Sequence, residues 1–214
     1  RYGVLNMDDL TPTFKKMLQK DFDYFFPTVS KPVKASHNSK VNTKATVSPK
    51  PVSLCSDYMN TLKVWLGKSF DGTKLLWRGS RHGFTAKAFH DRCDNKGATL
   101  TVIKSTKGWI FGGYNPSSWK SVKGHVHVKG SFLFALKHPY GLLPTKYPSK
   151  DPSKAILNHA NYGPQFGLDL IVIGATSSNN KATCQSYFPT SYMNPNGSGI
   201  PNSSTFTEAK FITV

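Results

Sequence analysis

Three histidines and a cysteine stand where a metal or a nucleophile would first be sought. His90 and Cys93 fall three residues apart, which puts both on one face of a helix. His125 and His127 alternate, which puts both on one face of a strand. Each pair offers two metal ligands and no third or fourth at a recognisable spacing, so neither predicts a metal centre. Gly67–Lys68–Ser69 matches the end of a phosphate loop, but the loop's first glycine belongs where Leu62 stands, and a helical pattern precedes it instead of a strand. Gly79–Ser80–Arg81–His82–Gly83 brackets a serine with glycines. A nucleophile elbow is spaced Gly-x-Ser-x-Gly, whereas Ser80 follows Gly79 directly. The expected role is a tight turn in which Ser80 and Arg81 bond the backbone.

General acid–base work needs carboxylates in tuned surroundings. Most of the acids, among them Asp57, Asp71, Asp91, Asp94 and Asp151, fall at helix starts or turns, where capping accounts for them. Asp169 and Glu208 lie beside apolar strand residues, and a buried acid there would pair with Arg78 or Arg81 as a structural ion pair. No catalytic residue, cofactor site or metal site is predicted. An enzyme using Cys93 or Ser80 is the alternative, and it requires a pocket holding one of them beside a base.

Charge is the compositional outlier. The 214 residues carry 28 Lys and Arg against 11 Asp and Glu, a net charge of +17. Residues 1–53 hold nine basic and four acidic groups, and residues 54–214 hold 19 and seven, so the excess is spread over the whole chain. Such a field favours an acidic partner: a protein surface, a nucleic acid or an anionic membrane face. The longest apolar runs, such as Leu170–Ile173, are far too short to span a bilayer, and no secretory leader pattern opens the sequence. Cys55, Cys93 and Cys184 are scattered and odd in number, which reads as reduced thiols in a cytoplasmic compartment.

Three segments must position these groups. In residues 1–26, Thr11 and Pro12 open a helix whose Phe14, Met17, Leu18, Phe22 and Phe25 form one apolar stripe ended by Pro27. Residues 27–53 are a basic Lys/Pro/Ser linker arm, which cannot bury enough apolar surface to offset its chain entropy. Residues 54–214 hold the folded domain. A helix from Ser56 presents Tyr58, Met59, Leu62, Trp65 and Leu66, and Gly67 stops it. A strand follows at 74–78, then a helix capped by Thr85 and running to Cys93. Strands at 99–104 and 109–114 are joined by a hairpin loop, and further strands are expected at 131–136, 169–173 and 205–214. Many short strands with early helices predict an α+β fold or a helix-flanked β-sandwich.

The stretch Leu75–Trp119 closely resembles the TLDc domain. The matching residues are Leu75, Leu76, Trp77 and Arg78, then Ser80, Arg81, Gly83 and Phe84, then Phe89, His90, Cys93 and Asp94, then Lys96, Gly97 and Thr99, and last Phe111, Gly112, Gly113, Tyr114 and Trp119. Phe132–Leu136 and Tyr162–Gly167 followed by Asp169 and Leu170 continue the likeness over about residues 54–214. Two places depart from the family pattern: His82 replaces the usual Asp, and the C-terminal strand keeps Glu208 alone among its acids.

The resemblance implies two antiparallel sheets packed as a sandwich with flanking helices, here preceded by the N-terminal helix and the basic linker. It also implies no enzymatic activity, an association with oxidative-stress protection, and binding to the proton-pumping V-ATPase. The reading is therefore a non-catalytic binding module that docks through its basic surface and arm into a large acidic assembly. Candidate partners are a V-ATPase subunit, by family, or the tubulin lattice of the cytoskeleton or a cilium, by charge, with nucleic acid the lesser possibility. Candidate contact residues are Lys31, Lys34, Lys40, Lys44 and Lys50 on the arm, and Arg81, His82, Lys87, Arg92, Lys104 and Lys107 on the domain.

Overall fold

A computed structural model describes residues 2–6, 54–67, 73–138, 141–174, 182–195 and 211–213. The helix expected from Thr11 and the arm lysines lie outside them. Helix α1 spans Leu54–Leu66, and Gly67 closes it with φ 63°, a left-handed conformation that glycine adopts without a Cβ penalty. Its Leu62 is fully buried, while Tyr58, Met59, Trp65 and Leu66 pack partly buried around Leu100, Val102, Phe132 and Phe134. The apolar spacing read from the sequence is thus the face that docks on a sheet.

That sheet has six strands in the order β2-β1-β3-β4-β6-β7. They are β1 (Tyr2–Asn6), β2 (Lys74–Arg78), β3 (Thr99–Lys104), β4 (Ile110–Asn115), β6 (Phe132–Lys137) and β7 (Thr145–Pro148). A four-stranded sheet takes β9 (Gln165–Phe166), β10 (Leu170–Ile173), β11 (Thr183–Gln185) and β12 (Phe211–Thr213), and β5 (Gly124–Val126) pairs with β8 (Ile156–Asn158). Every pair among the described strands is antiparallel. With few helices, this is an α+β architecture.

Segment 1–26 does more than carry a helix candidate. Its residues Tyr2–Asn6 form β1, which lies between β2 and β3, one strand in from the edge of the large sheet. Only its backbone partners, 68 to 101 residues away along the chain, reveal it as a strand.

The main core joins the two larger sheets. Trp77, Ile103, Phe111 and Leu133 from the large sheet cluster with Phe166, Leu170, Val172 and Cys184 from the small one. Helix α3 (Ala86–Cys93) contributes Phe89 and Cys93 to the same cluster. An edge-to-face aromatic chain runs through it, Trp77 to Phe89 at 5.5 Å, Phe89 to Trp119 at 5.7 Å and Trp119 to Phe166 at 5.5 Å. Such contacts add about 1 kcal/mol each beyond area burial. The Trp119 indole N–H also donates to Thr99 Oγ1 at 2.8 Å, so its polar edge is satisfied inside the core.

Candidate functional site

Ser80 and Arg81 lie in a single helical turn, α2 (Gly79–His82), and both are exposed. Gly79 is buried, and a Cβ there would meet the Phe84 ring at 2.4 Å from its Cε1. Gly83 has φ 89°, a region that β-carbons disfavour. The Trp77 indole N–H donates to Gly83 O at 3.2 Å. The two glycines therefore serve the turn's packing and backbone. His82 Nδ1 accepts a hydrogen bond from Arg78 N at 3.0 Å. An aspartate oxygen can fill the same acceptor role, so the departure from the family's Asp keeps the turn's bond. His82→Asp should change stability by less than about 0.5 kcal/mol, whereas His82→Ala should cost about 1 kcal/mol, both read from urea melts.

Histidine, aspartate and serine do meet at the end of α3, but wired as a clip. His90 Nδ1 lies 2.7 Å from Asp94 Oδ1, and Ser121 Oγ donates to Asp94 Oδ2 at 2.6 Å. His90 Nε2 faces the carbonyl oxygens of His159 at 3.1 Å and Tyr162 at 2.9 Å. In a hydrolytic triad the serine bonds the imidazole, which then takes its proton. Here the serine sits on the far side of the aspartate and backbone carbonyls occupy Nε2. The arrangement ties α3 to the 159–162 loop.

Cys93 is fully buried beneath this clip. Burial, aided by the Asp94 charge, pushes its thiol well above the usual range, and burial pushes Cys184 up to about 12. Neither is poised as a thiolate nucleophile. In a Cys55→Ser protein, a thiol reagent at about pH 8 should label the native chain at under about one-hundredth of the rate seen in urea. Labelling of Cys93 at comparable rates in both states would contradict this burial.

Asp169, one of the two acids without a capping explanation, is fully buried and holds a loop. Its carboxylate accepts from the backbone N–H groups of Thr190 at 2.5 Å, Ser191 at 2.6 Å and Tyr192 at 3.4 Å. Burial pushes the carboxyl above its ordinary range, and these three bonds oppose that shift. No ion pair with Arg78 or Arg81 accompanies it; backbone amides do the neutralising. His125 and His127 are both exposed, and among the described residues no three His, Cys, Asp or Glu side chains gather as a metal site would require.

The domain's candidate basic residues divide between α3 and one end of the large sheet. Lys87 is ion-paired with Asp91 at 2.7 Å on the exposed face of α3, and Arg92 Nη1 donates to Ala88 O at 3.2 Å. Arg81 and His82 follow Arg78, and Arg78 pairs through β1 with Val102, near the Lys104 end of β3. At this end Lys104 is opposite Ile110, and Ile110 is opposite Lys137, so two lysines flank one register position across three strands. Lys107 occupies the exposed hairpin loop between β3 and β4. Trp109 closes that loop half-buried, with the Lys137 ammonium 5.9 Å from its ring centroid. The four carboxylates whose side chains are described have these partners: Asp91 with Lys87, Asp94 with His90, Asp151 with Ser153 and Lys154, and Asp169 with backbone.

Beside Trp109 a cleft of about 590 Å³ opens between α1 and the segment following β6. Tyr58 and Thr61 form one side, Leu142–Pro144 the other, and Lys137 and His138 lie along it. Sequence reading found Lys104 and Lys107 but passed over Lys137 and the cleft. Lys137 follows an apolar strand as an isolated lysine, and only strand register brings it to the hairpin.

These features define an α+β scaffold of antiparallel sheets whose buried polar groups fix loops and helix ends. The chain belongs to the TLDc domain family, whose pattern matches residues 54–211. A 67-residue stretch is 31% identical to the MTOR-associated protein MEAK7 of Danio rerio, covering 31% of this chain and 15% of that protein. No described helix is long and apolar enough to cross a membrane.

Proposed function

We propose that this chain is a non-catalytic TLDc module, its two larger sheets packed as a sandwich, that docks on an acidic protein surface through the hairpin end of the large sheet. The observation that carries this reading is the gathering of Lys104, Lys107 and Lys137 around Trp109, on a chain of net charge +17. The family resemblance favours a V-ATPase subunit as the acidic surface, and charge alone favours a tubulin lattice. The Danio rerio relative is named for association with MTOR, which fits a protein-binding role. The arm lysines, Lys31 to Lys50, supply a second set of contacts, and the cytoplasm, at a membrane pump or on the cytoskeleton, is the corresponding location.

Lysine contacts to an acidic surface weaken with ionic strength. Binding of the full chain to purified V-ATPase peripheral sector, or to stabilised microtubules, should fall by about tenfold or more between about 50 and about 200 mM salt. Changing Lys31, Lys34, Lys40, Lys44 and Lys50 to Gln should weaken it further without lowering the melting temperature. These substitutions are preferable to deleting the arm, because β1 reaches its place in the sheet through it. Salt-insensitive binding to both assemblies would overturn the proposal.

A further inference from the structure

We infer that the cleft beside Trp109 receives a large apolar side chain from an acidic peptide segment of the partner, with Lys137 meeting a neighbouring carboxylate. The inference rests on the docking reading and names what that surface recognises.

The cleft's size, about 590 Å³, is in the range of sites that accept a substantial side chain with its flanking backbone. Its wall carries Leu143, which is 82% exposed. Near that leucine Gly141 takes φ 65°, Gly141 N donates to His138 O at 3.2 Å, and Thr145 Oγ1 donates to Leu143 O at 2.8 Å. A leucine exposed to water beside Trp109 and Leu136 is apolar surface awaiting cover.

Charge selects what covers it. Among the described residues no carboxylate lines the cleft. His138 is 3% exposed, and burial lowers its tendency to carry a proton, so Lys137 is the cation that a ligand meets. The Lys137 ammonium is placed over Trp109 and 4.0 Å from where a Cβ on Gly108 would sit. It therefore stands between the cleft and the hairpin lysines. An apolar anchor flanked by Asp or Glu satisfies both features at once. A second copy of this chain would bring its own net charge of +17 against the same face. A nucleobase would have to displace Lys137 from the Trp109 ring in order to stack on it.

The test is selection of roughly 12-residue displayed random peptides on the full chain, followed by binding measurements with the enriched peptides made synthetically. Enrichment of Phe, Trp or Leu flanked by several acids is expected. Replacing that anchor by Ala in the peptide, or Leu143→Asp in the protein, should each weaken binding by about tenfold. Lys137→Gln should weaken it by about threefold to tenfold and flatten its salt dependence. Leu143 and Lys137 are exposed, so these variants should melt with the parent protein. If Lys104→Glu and Lys107→Glu weaken the peptides while anchor→Ala and Leu143→Asp leave them unmoved, the cleft inference fails and the docking surface stands. If no acidic peptides are enriched, or no lysine substitution moves their binding, both fail. Binding of an oligouridylate that Leu143→Asp abolishes, or a self-association lost in that variant, would replace the peptide with nucleic acid or a second copy.

Discussion

Asp169→Ala is expected to lower stability by about 4 kcal/mol in a urea melt. The carboxylate is fully buried and is the acceptor for three consecutive backbone N–H groups, those of Thr190, Ser191 and Tyr192. Each buried donor left without an acceptor costs about 1–3 kcal/mol, and Ser191 and Tyr192 are both too buried for water to take over readily. The loss propagates, because this loop inserts Tyr192 into the core. The Tyr192 hydroxyl donates to Ala155 O at 2.6 Å and lies 2.7 Å from Ser131 Oγ. Asp169→Asn separates the contributions. It keeps one acceptor oxygen but turns an NH₂ group toward a backbone N–H, so about half the loss is expected. An Ala variant within about 1 kcal/mol of the parent would show that the three amides find other acceptors.

Gly112→Ala is expected to cost about 3 kcal/mol or more, with Gly112→Val failing to accumulate as folded protein. Gly112 lies in β4 with an ordinary strand backbone, so conformational freedom is not the reason. A Cβ there would sit 1.9 Å from the carbonyl oxygen of Thr101 and 2.9 Å from Phe134 Cζ. The oxygen belongs to the backbone of the paired strand β3, which cannot move aside without breaking its own ladder. Its neighbour Gly113 is crowded instead by the Phe166 ring and Leu133 Cδ2, at 2.6 and 2.9 Å. Side chains can rotate, so Gly113→Ala should cost less than Gly112→Ala. The paired glycines thus record two different close approaches on the two faces of one strand. Equal melts for the two alanine variants would contradict that assignment.

The sequence was most legible where its pattern is local. The strand at 74–78, the Thr85 cap, whose hydroxyl accepts from Ala88 N at 3.1 Å, and the strand at 99–104 stand where spacing put them. It was least legible where an element exists only through distant partners. β1 has five residues, and its strand character comes from Trp77 and Thr101 across the sheet. β5, β7, β8, β9 and β11 are two to four residues long, too short for alternation to show, and several lie within proline- and glycine-rich stretches that read as loops. The same holds for function. Asp169 could be singled out as an acid among apolar residues, but its partners are backbone amides that no residue type announces. Lys104 and Lys107 are visible as charges beside a hairpin, whereas Lys137 joins them only through the pairing of β4 with β6.

Charge reversal at one end of the large sheet, set against the other end, tests the docking account most directly. Lys104→Glu/Lys107→Glu/Lys137→Glu should be compared with Lys120→Glu/Lys123→Glu/Lys129→Glu, three exposed lysines in the connection at the opposite end, between β4 and β6. Both triples change net charge equally, so long-range attraction falls alike and only the docked face differs. On V-ATPase peripheral sector or microtubules, the hairpin triple should lose about tenfold or more in affinity and the control triple less than about threefold. Equal losses for the two triples, or none for either, would contradict a docking face at the Trp109 hairpin.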